Sequence, residues 1–405
     1  LLLVIALLVA GVIPIVLALQ STAAAAGYAN SAEQPPAASA LLFSWEQVLW
    51  IVNSDGSGLK QLYHFKPDQA YDVQADPSLS PDALRIAYVN YRRLDGSPLL
   101  HPNVWVMNAD GSGVTPLTAE PMRHFGPLAW SPDGRKLAAV STLTDFDEHK
   151  QIKYLANGIF MVNADGSGAK LLIQFTDPEI SIQSVAWSPD SRKIAFLESR
   201  SLYDGQKLTG LNENIWVMDA DGSHLIPLTK FTRSIWLREI GWSPDSRRVT
   251  YISSRALDGS DAGSAGTNIW VSNADGSGSL PLTRFRSMFV TINAFSWSPD
   301  GSRLSFSSNG SLDGSDTDNT SVNIWVVKTD GSAPRPLTTE TVFELSNDRP
   351  AWSPDGSRIA FVSCINSTST KPRPFSSCKL SIMKEDGTGV RQLIEQNVGW
   401  FQWRK

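Results

Sequence analysis

The sequence predicts an all-β chain, a seven-bladed β-propeller of four-stranded blades preceded by an apolar N-terminal helix and a linker. Three observations lead there. An Asp-Gly pair recurs at Asp55, Asp110, Asp165, Asp221, Asp275, Asp330 and Asp386, at intervals of 55, 55, 56, 54, 55 and 56 residues. A second phrase alternates with it, as in "AWSPDSRKIAFLES" from Ala186 and "SWSPDGSRLSFSS" from Ser296. The apolar runs between these turns, such as "IWVM" at 215–218, are apolar on both faces, the pattern of strands covered on both sides. Short strands repeated at a fixed period stack as blades around an axis.

Residues 1–19, "LLLVIALLVAGVIPIVLAL", carry no charge. As a helix this run spans about 30 Å, enough to cross a bilayer core. Residues 1–20 therefore read as an uncleaved anchor. The Ala-rich "STAAAAGYANSA" that follows offers Ala-x-Ala sites, so a cleaved secretory signal is the alternative, and a buried helix is a third reading. Either of the first two exports the rest of the chain. Residues 21–40, rich in Ala, Ser and Pro, read as a disordered tether. The propeller occupies residues 41–405.

Each unit reads as four strands. The first ends at Trp-Ser, and the Pro of the following Ser-Pro-Asp-Gly pre-sets φ for a type I turn. "KIAF" is a second strand and, after a variable loop, "NIWVMN" a third. Asp-Gly then turns the chain, because Gly accepts positive φ without a Cβ clash. A short fourth strand ends in Pro-Leu-Thr. An eroded copy, "SLSPDALRIAYVN", begins at Ser78. At the N-terminal end "LLFSWEQVLWIVNSDGSG" supplies a second and third strand with no first. At the C-terminal end "VGWFQW" (398–403) supplies a first strand with nothing after it. Joined, they make one composite blade that closes the ring without a covalent bond. Six continuous blades and this composite make seven.

Units of the form W-S-P-D-G-x-x-I-A-F and I-W-x-M-N-x-D-G-S resemble the WD40-like, or PD40, repeats of TolB-type propellers. The resemblance covers residues 41–405 and is specific because the phrases recur in register. Two departures stand beside it: TolB propellers have six blades and follow a small α/β domain, whereas this chain reads as seven blades after a linker. The resemblance implies the fold and an extracytoplasmic, partner-binding role. Seven-bladed propellers with similar repeats include lyases of uronic-acid sugars that hold a metal through His, which implies an alternative function.

Cys364 ends one strand and Cys378 precedes its neighbour, so the pair brackets a loop. A disulfide is the reading in an oxidising compartment, with two unrelated thiols the alternative.

Chemistry is sought on the two faces of the disc. The Ser-Pro-Asp-Gly and Asp-Gly-Ser turns share one face, while the variable loops and the blade-to-blade connections share the other, where specificity usually resides. At 219–223, Asp-Ala-Asp-Gly-Ser resembles the start of a calcium loop. Most copies begin with Asn and none supplies a later Glu, so the Asp is read as the hinge of a hairpin. His64, His101, His124 and His149 fall on variable-face segments and are the candidate ligands of the metal-dependent alternative, with surface histidines as the plainer reading. The connectors "TKFTRSIWLREIGW" (229–242) and "TRFRSMFVTINAFSW" (283–297) place Lys230, Arg233, Arg238, Arg284 and Arg286 beside Phe231, Trp236, Phe285 and Phe289. Arg and aromatic side chains anchor interfaces. The plainer reading is aromatics filling blade interfaces with Arg at the rim.

The formal charge of −5 gives no sign of a nucleic-acid binder. Gly-x-Ser-x-Gly, P-loop and Cys-x-x-Cys motifs are absent from the sequence. The expectation is a monomeric, exported, membrane-tethered scaffold without cofactor. It would bind a protein or glycan, an anionic one among the readings, through Lys230, Arg233, Trp236, Arg238, Arg284, Arg286 and Phe289. A metal-dependent uronate lyase or hydrolase is the alternative.

Overall fold

The computed structural model describes residues 40–45, 48–64, 77–92, 98–118, 124–146, 152–205, 207–260, 263–311, 318–341, 345–365, 377–395 and 397–404. Residues 1–39, which hold the expected apolar helix and nearly all of the linker, lie outside them. No helix among the described residues is long and apolar enough to cross a membrane. Every element described is a β-strand.

The strands form a propeller of four-stranded antiparallel blades. In one sheet Phe401–Trp403 pairs with Ala40–Trp45, which pairs with Val48–Asn53 and then Lys60–His64. The first and last described strands thus share a sheet, as the strand count required. Four more four-stranded sheets follow, spanning 78–116, 124–175, 180–227 and 237–281. The strands of 292–336 and 345–394 join in one eight-stranded sheet. Its two antiparallel halves meet through a single parallel pair, Val322↔Ser346. First strands of successive sheets touch one another from Ser78–Leu79 round to Phe401–Trp403, so the first strand of each blade lies innermost.

The repeated letters have local explanations. At each Ser-Pro-Asp turn the hydroxyl and carboxylate close the hairpin, as where Ser188 Oγ donates to Asp190 Oδ1 (2.6 Å) and accepts from Lys193 N (2.8 Å). Hydrogen bonds from Ser298 and then Ser302 hold the Asp300 carboxyl down to about 2. At the Asp-Gly-Ser turns Asp221 Oδ1 accepts from Ser223 N (2.9 Å) and Ser223 Oγ (2.6 Å), and Gly222 sits at φ 93°. These carboxylates work as hairpin hinges.

Apolar cores form between sheets rather than inside them. One joins Leu197, Ile215 and Val217 to Trp242, Tyr251 and Trp270 of the next blade. The composite sheet is clamped on both sides. Leu42 and Leu49 pack with Ile86 and Trp105, while Leu41 and Phe43 pack with Leu380 and Ile382. The Trp of the repeat adds a polar link at this seam. Trp130, Trp187, Trp242 and Trp403 donate from Nε1 to the carbonyls of Ser78, Ala129, Ala186 and Ala351, at 3.0, 3.0, 3.1 and 2.8 Å. Each acceptor lies one residue before the corresponding position of the preceding blade. Cys364 and Cys378 are directly paired across two strands and form a disulfide.

Candidate functional site

The connectors between blades are held by a bracket that the repeat spells out. Asn268, 1 % exposed, accepts at Oδ1 from Phe285 N (2.9 Å) and Thr283 Oγ1 (3.0 Å), and donates from Nδ2 to Phe285 O (2.9 Å). Thr283 Oγ1 in turn accepts from Ile269 N (2.9 Å). Asn214 and Thr229 hold Phe231 in the same way, and Asn323 and Thr338 hold Glu340. The Asn of "NIW" and the Thr of Pro-Leu-Thr thus fix the peptide two residues past the Thr.

This bracket sorts the aromatic residues of the two connectors. Phe231 is buried among Tyr251 and Trp270, under the Arg255 guanidinium 5.4 Å from its ring. Phe285 packs against the next core, close enough to Gly310 that a Cβ there would stand 2.9 Å from its ring. These two fill blade seams. Trp236 and Phe289 do not, being 58 % and 63 % exposed. The backbone of Trp236 is tied to Ser254 by its N–H on Oγ (2.9 Å) and by its carbonyl on Ser254 N (2.9 Å). The Arg238 guanidinium lies 5.7 Å above its ring. Phe289 is fixed through its carbonyl, which accepts from Asn309 Nδ2 (3.0 Å).

Lys230, Arg233, Arg238, Arg284 and Arg286 are all exposed. These cations and the exposed rings of Trp236 and Phe289 stand on two consecutive connectors, whereas Phe231 and Phe285 are taken into the blade seams. Met288 is also exposed there. The long hairpin of Lys193–Asp204 and Lys207–Asp219 adds exposed Tyr203, Leu208 and Leu211. Its edge meets the first connector, where a Cβ on Gly210 would lie 3.2 Å from Ser234 Oγ.

The side chains of His64, His101 and His124 lie outside the described residues, as does His149 altogether. His64, His101 and His124 occupy the end of Lys60–His64, the strand Pro98–Asn108 and the start of His124–Trp130. Among the described residues no group of three His, Cys, Asp or Glu could hold a metal.

A second site was not anticipated from the sequence. A cavity of about 520 Å³ opens where the first strands of four blades converge, lined by Glu239, Asn293, Phe295, Asp348, Arg349, Trp400 and Phe401, among others. Three of these four first strands carry an irregular register here, skipping Glu239, Asn293 and Arg349–Pro350. Such bulges re-aim a side chain out of the alternation of the strand. Seven non-glycine residues have positive φ. Ala83, Ser191, Ser246, His224 and Ala333 stand where the repeats otherwise place Gly. Glu239 (φ 36°) and Arg349 (φ 53°) have no such excuse, and both line the cavity. The Trp seam link departs from its pattern here too. Trp297 turns to Thr250 Oγ1 (3.2 Å), and Trp352 Nε1 is buried with no partner.

Asp348 accepts from Ser307 Oγ, from Arg349 N (2.7 Å) and from Asn293 Nδ2 (3.3 Å). Glu239 Oε2 accepts from Phe295 N (3.1 Å), and Arg349 Nη1 donates to Gly399 O (2.6 Å). Glu239 is exposed at the cavity mouth while many protein atoms of the converging strands surround it. Burial there pushes its carboxyl up to about 8, with Asp348 adding to the rise and Arg349 opposing it. The sequence signal was a polar residue three or four places before the repeat Trp, where Gln183, Glu239, Asn293 and Arg349 stand.

No protein-family model matches the chain, so its likeness to PD40 repeats rests on the repeated phrases. An uncharacterised peptidase, YuxL, of Bacillus subtilis is 30% identical over 133 residues, covering 33% of this chain and 18% of that protein. The chain thus spans less than a fifth of that relative's length. Among solved structures, a prolyl endopeptidase superposes with a TM-score of 0.61 at 12% identity, covering 90% of this chain and 50% of the other. An oligogalacturonate lyase from Vibrio parahaemolyticus gives 0.57 at 14% identity, covering 88% and 86%. Both likenesses concern the propeller fold alone.

Proposed function

We propose that this chain is an exported, membrane-tethered, seven-bladed propeller of TolB type that binds a partner and does no chemistry of its own. The count of seven treats the eight-stranded sheet as two blades. The single bridging pair between its halves and the separate core between Ile324 and Phe361 support that division. The TolB likeness rests on the repeat phrases. Export rests on the apolar run of residues 1–19, and the Cys364–Cys378 disulfide fits an oxidising compartment.

The observation that carries the binding reading is the pair Trp236 and Phe289, each more than half exposed and set among five cations on adjacent connectors. Isolated exposed apolar residues are ordinary, but a cluster interleaved with Arg and fixed by backbone hydrogen bonds marks an interaction surface. The cations on a protein of net charge −5 select an acidic partner. The rings and Met288 favour a protein segment over a glycan.

The test is binding of a Glu/Asp-rich peptide carrying Leu and Phe, measured by interferometry beside polygalacturonate. Peptide binding that weakens with salt and falls at least tenfold in Arg233→Glu/Arg286→Glu supports the reading. Equal peptide binding by that variant contradicts it, and capture of polygalacturonate alone moves the assignment to a glycan.

A further inference from the structure

The axial cavity is separate from the connector arc, and its chemistry differs. The arc presents cations, whereas the cavity presents acceptors. Two carboxyl groups, Glu239 and Asp348, reach it from different blades. Only one of the Glu239 oxygens has a hydrogen bond within the described structure, to Phe295 N. The one cation in the lining, Arg349, is drawn to the wall by the carbonyl of Gly399. Phe295, Trp400 and Phe401 supply ring surface beside the carboxyls.

An anion entering here would meet Asp348 and a guanidinium already engaged. A neutral apolar group would leave the second Glu239 oxygen without a donor and offer nothing to the charge of Asp348. A primary ammonium has three donors and no acceptor, and a cation gains from aromatic faces within about 6 Å. The geometry points to a binding site for a primary alkylammonium group in the axial cavity, gripped by Glu239 and Asp348 and walled by Trp400 and Phe401. Lysine side chains and polyamines share that chemistry.

Proton linkage follows from the charges that face Glu239. Facing it across the cavity, from the blade after next, are Asp348 and Arg349, and the remaining lining residues are uncharged. Its carboxyl, raised to about 8, is about nine-tenths protonated at pH 7, while an alkylammonium stays charged to about pH 10. Binding therefore expels a proton, and affinity rises about tenfold per pH unit between pH 6 and 7.5.

The experiment is calorimetric titration of the full chain with n-butylammonium, butyrate and n-butanol in buffers of different ionisation enthalpy. The expected result is one n-butylammonium bound per chain with close to one proton released at pH 7. Glu239→Gln should weaken it at least tenfold and abolish the pH dependence, with the melting temperature retained. Spermidine and an N-acetylated peptide ending in Lys then distinguish the two sources of the amine. Butyrate or butanol binding as tightly overturns the proposal, as does n-butylammonium binding that releases no proton or is unchanged in Glu239→Gln. Absence of n-butylammonium binding overturns it as well. Proton release by the unmodified chain decides the matter even where the variant fails to fold.

Discussion

Replacing Asn268 by Ala removes the bracket that holds the second connector. Three hydrogen bonds go at once, to Phe285 N, Phe285 O and Thr283 Oγ1. Thr283 keeps its bond from Ile269 N, so its loss is one ordinary bond of about 1 kcal/mol. Phe285 is worse placed, because its N–H and carbonyl lose the one partner they have among the described residues, in a half-buried position. Stranding such a pair costs about 1–3 kcal/mol, for a total of about 2–4 kcal/mol. Urea unfolding followed by Trp fluorescence reads this as a lower midpoint at unchanged slope. Asn323→Ala breaks the same bracket around Glu340 and should cost a similar amount. Hydrogen exchange at the Phe285 amide should accelerate, because the connector displaying Arg284, Arg286 and Phe289 loosens with it. A loss below about 0.5 kcal/mol, or unaltered Phe285 exchange, refutes the claim that this side chain positions the connector.

Other outcomes follow from the same structure. Gly222→Ala should destabilise by about 2 kcal/mol or more, since φ is 93° and the new Cβ would stand 2.8 Å from Leu172 O, again read by urea midpoint. Cys364→Ser/Cys378→Ser should cost about 3 kcal/mol through the loop it reopens, and reductant should lower the stability of the unmodified chain but not of the variant. Stability should peak on the acid side of neutrality. Asp300 and its counterparts are depressed, so their contribution is present above the unfolded value near 3.8 and is lost as pH falls toward about 2. Glu239 is raised, so its contribution is present below 4.5 and fades as pH climbs through about 8. Denaturation midpoints across pH 2–9 check both limbs, and Glu239→Gln should flatten the alkaline one alone.

The repeat makes the blades, their turns and the pairing of the first and last propeller strands legible in the sequence itself. Asp-Gly and Ser-Pro-Asp turns depend on residues close in sequence, so their chemistry is written locally. Side-chain direction in the connectors is not. Phe231 and Trp236 stand five residues apart in one irregular segment with no period to separate inward from outward, and the decision falls to Asn214, seventeen residues from Phe231. The cavity was hidden for a different reason. It arises where the first strands of four blades meet. The bulge there recurs in other blades, at 126–127 and Gln183, but only at Glu239 and Arg349 does it bring charge to the cavity. Trp297 has another acceptor, while Trp352 Nε1 has none. Attention to the repeated letters passes over such places.

The claim that the connectors form one binding surface is tested most directly by affinity for the acidic peptide in Trp236→Ala and Phe289→Ala, with melting temperature as the control. The account predicts that each truncation lowers affinity at least tenfold, about 1.4 kcal/mol, without shifting the melt, since both rings are exposed in the free protein. Affinity left intact by either substitution would contradict it.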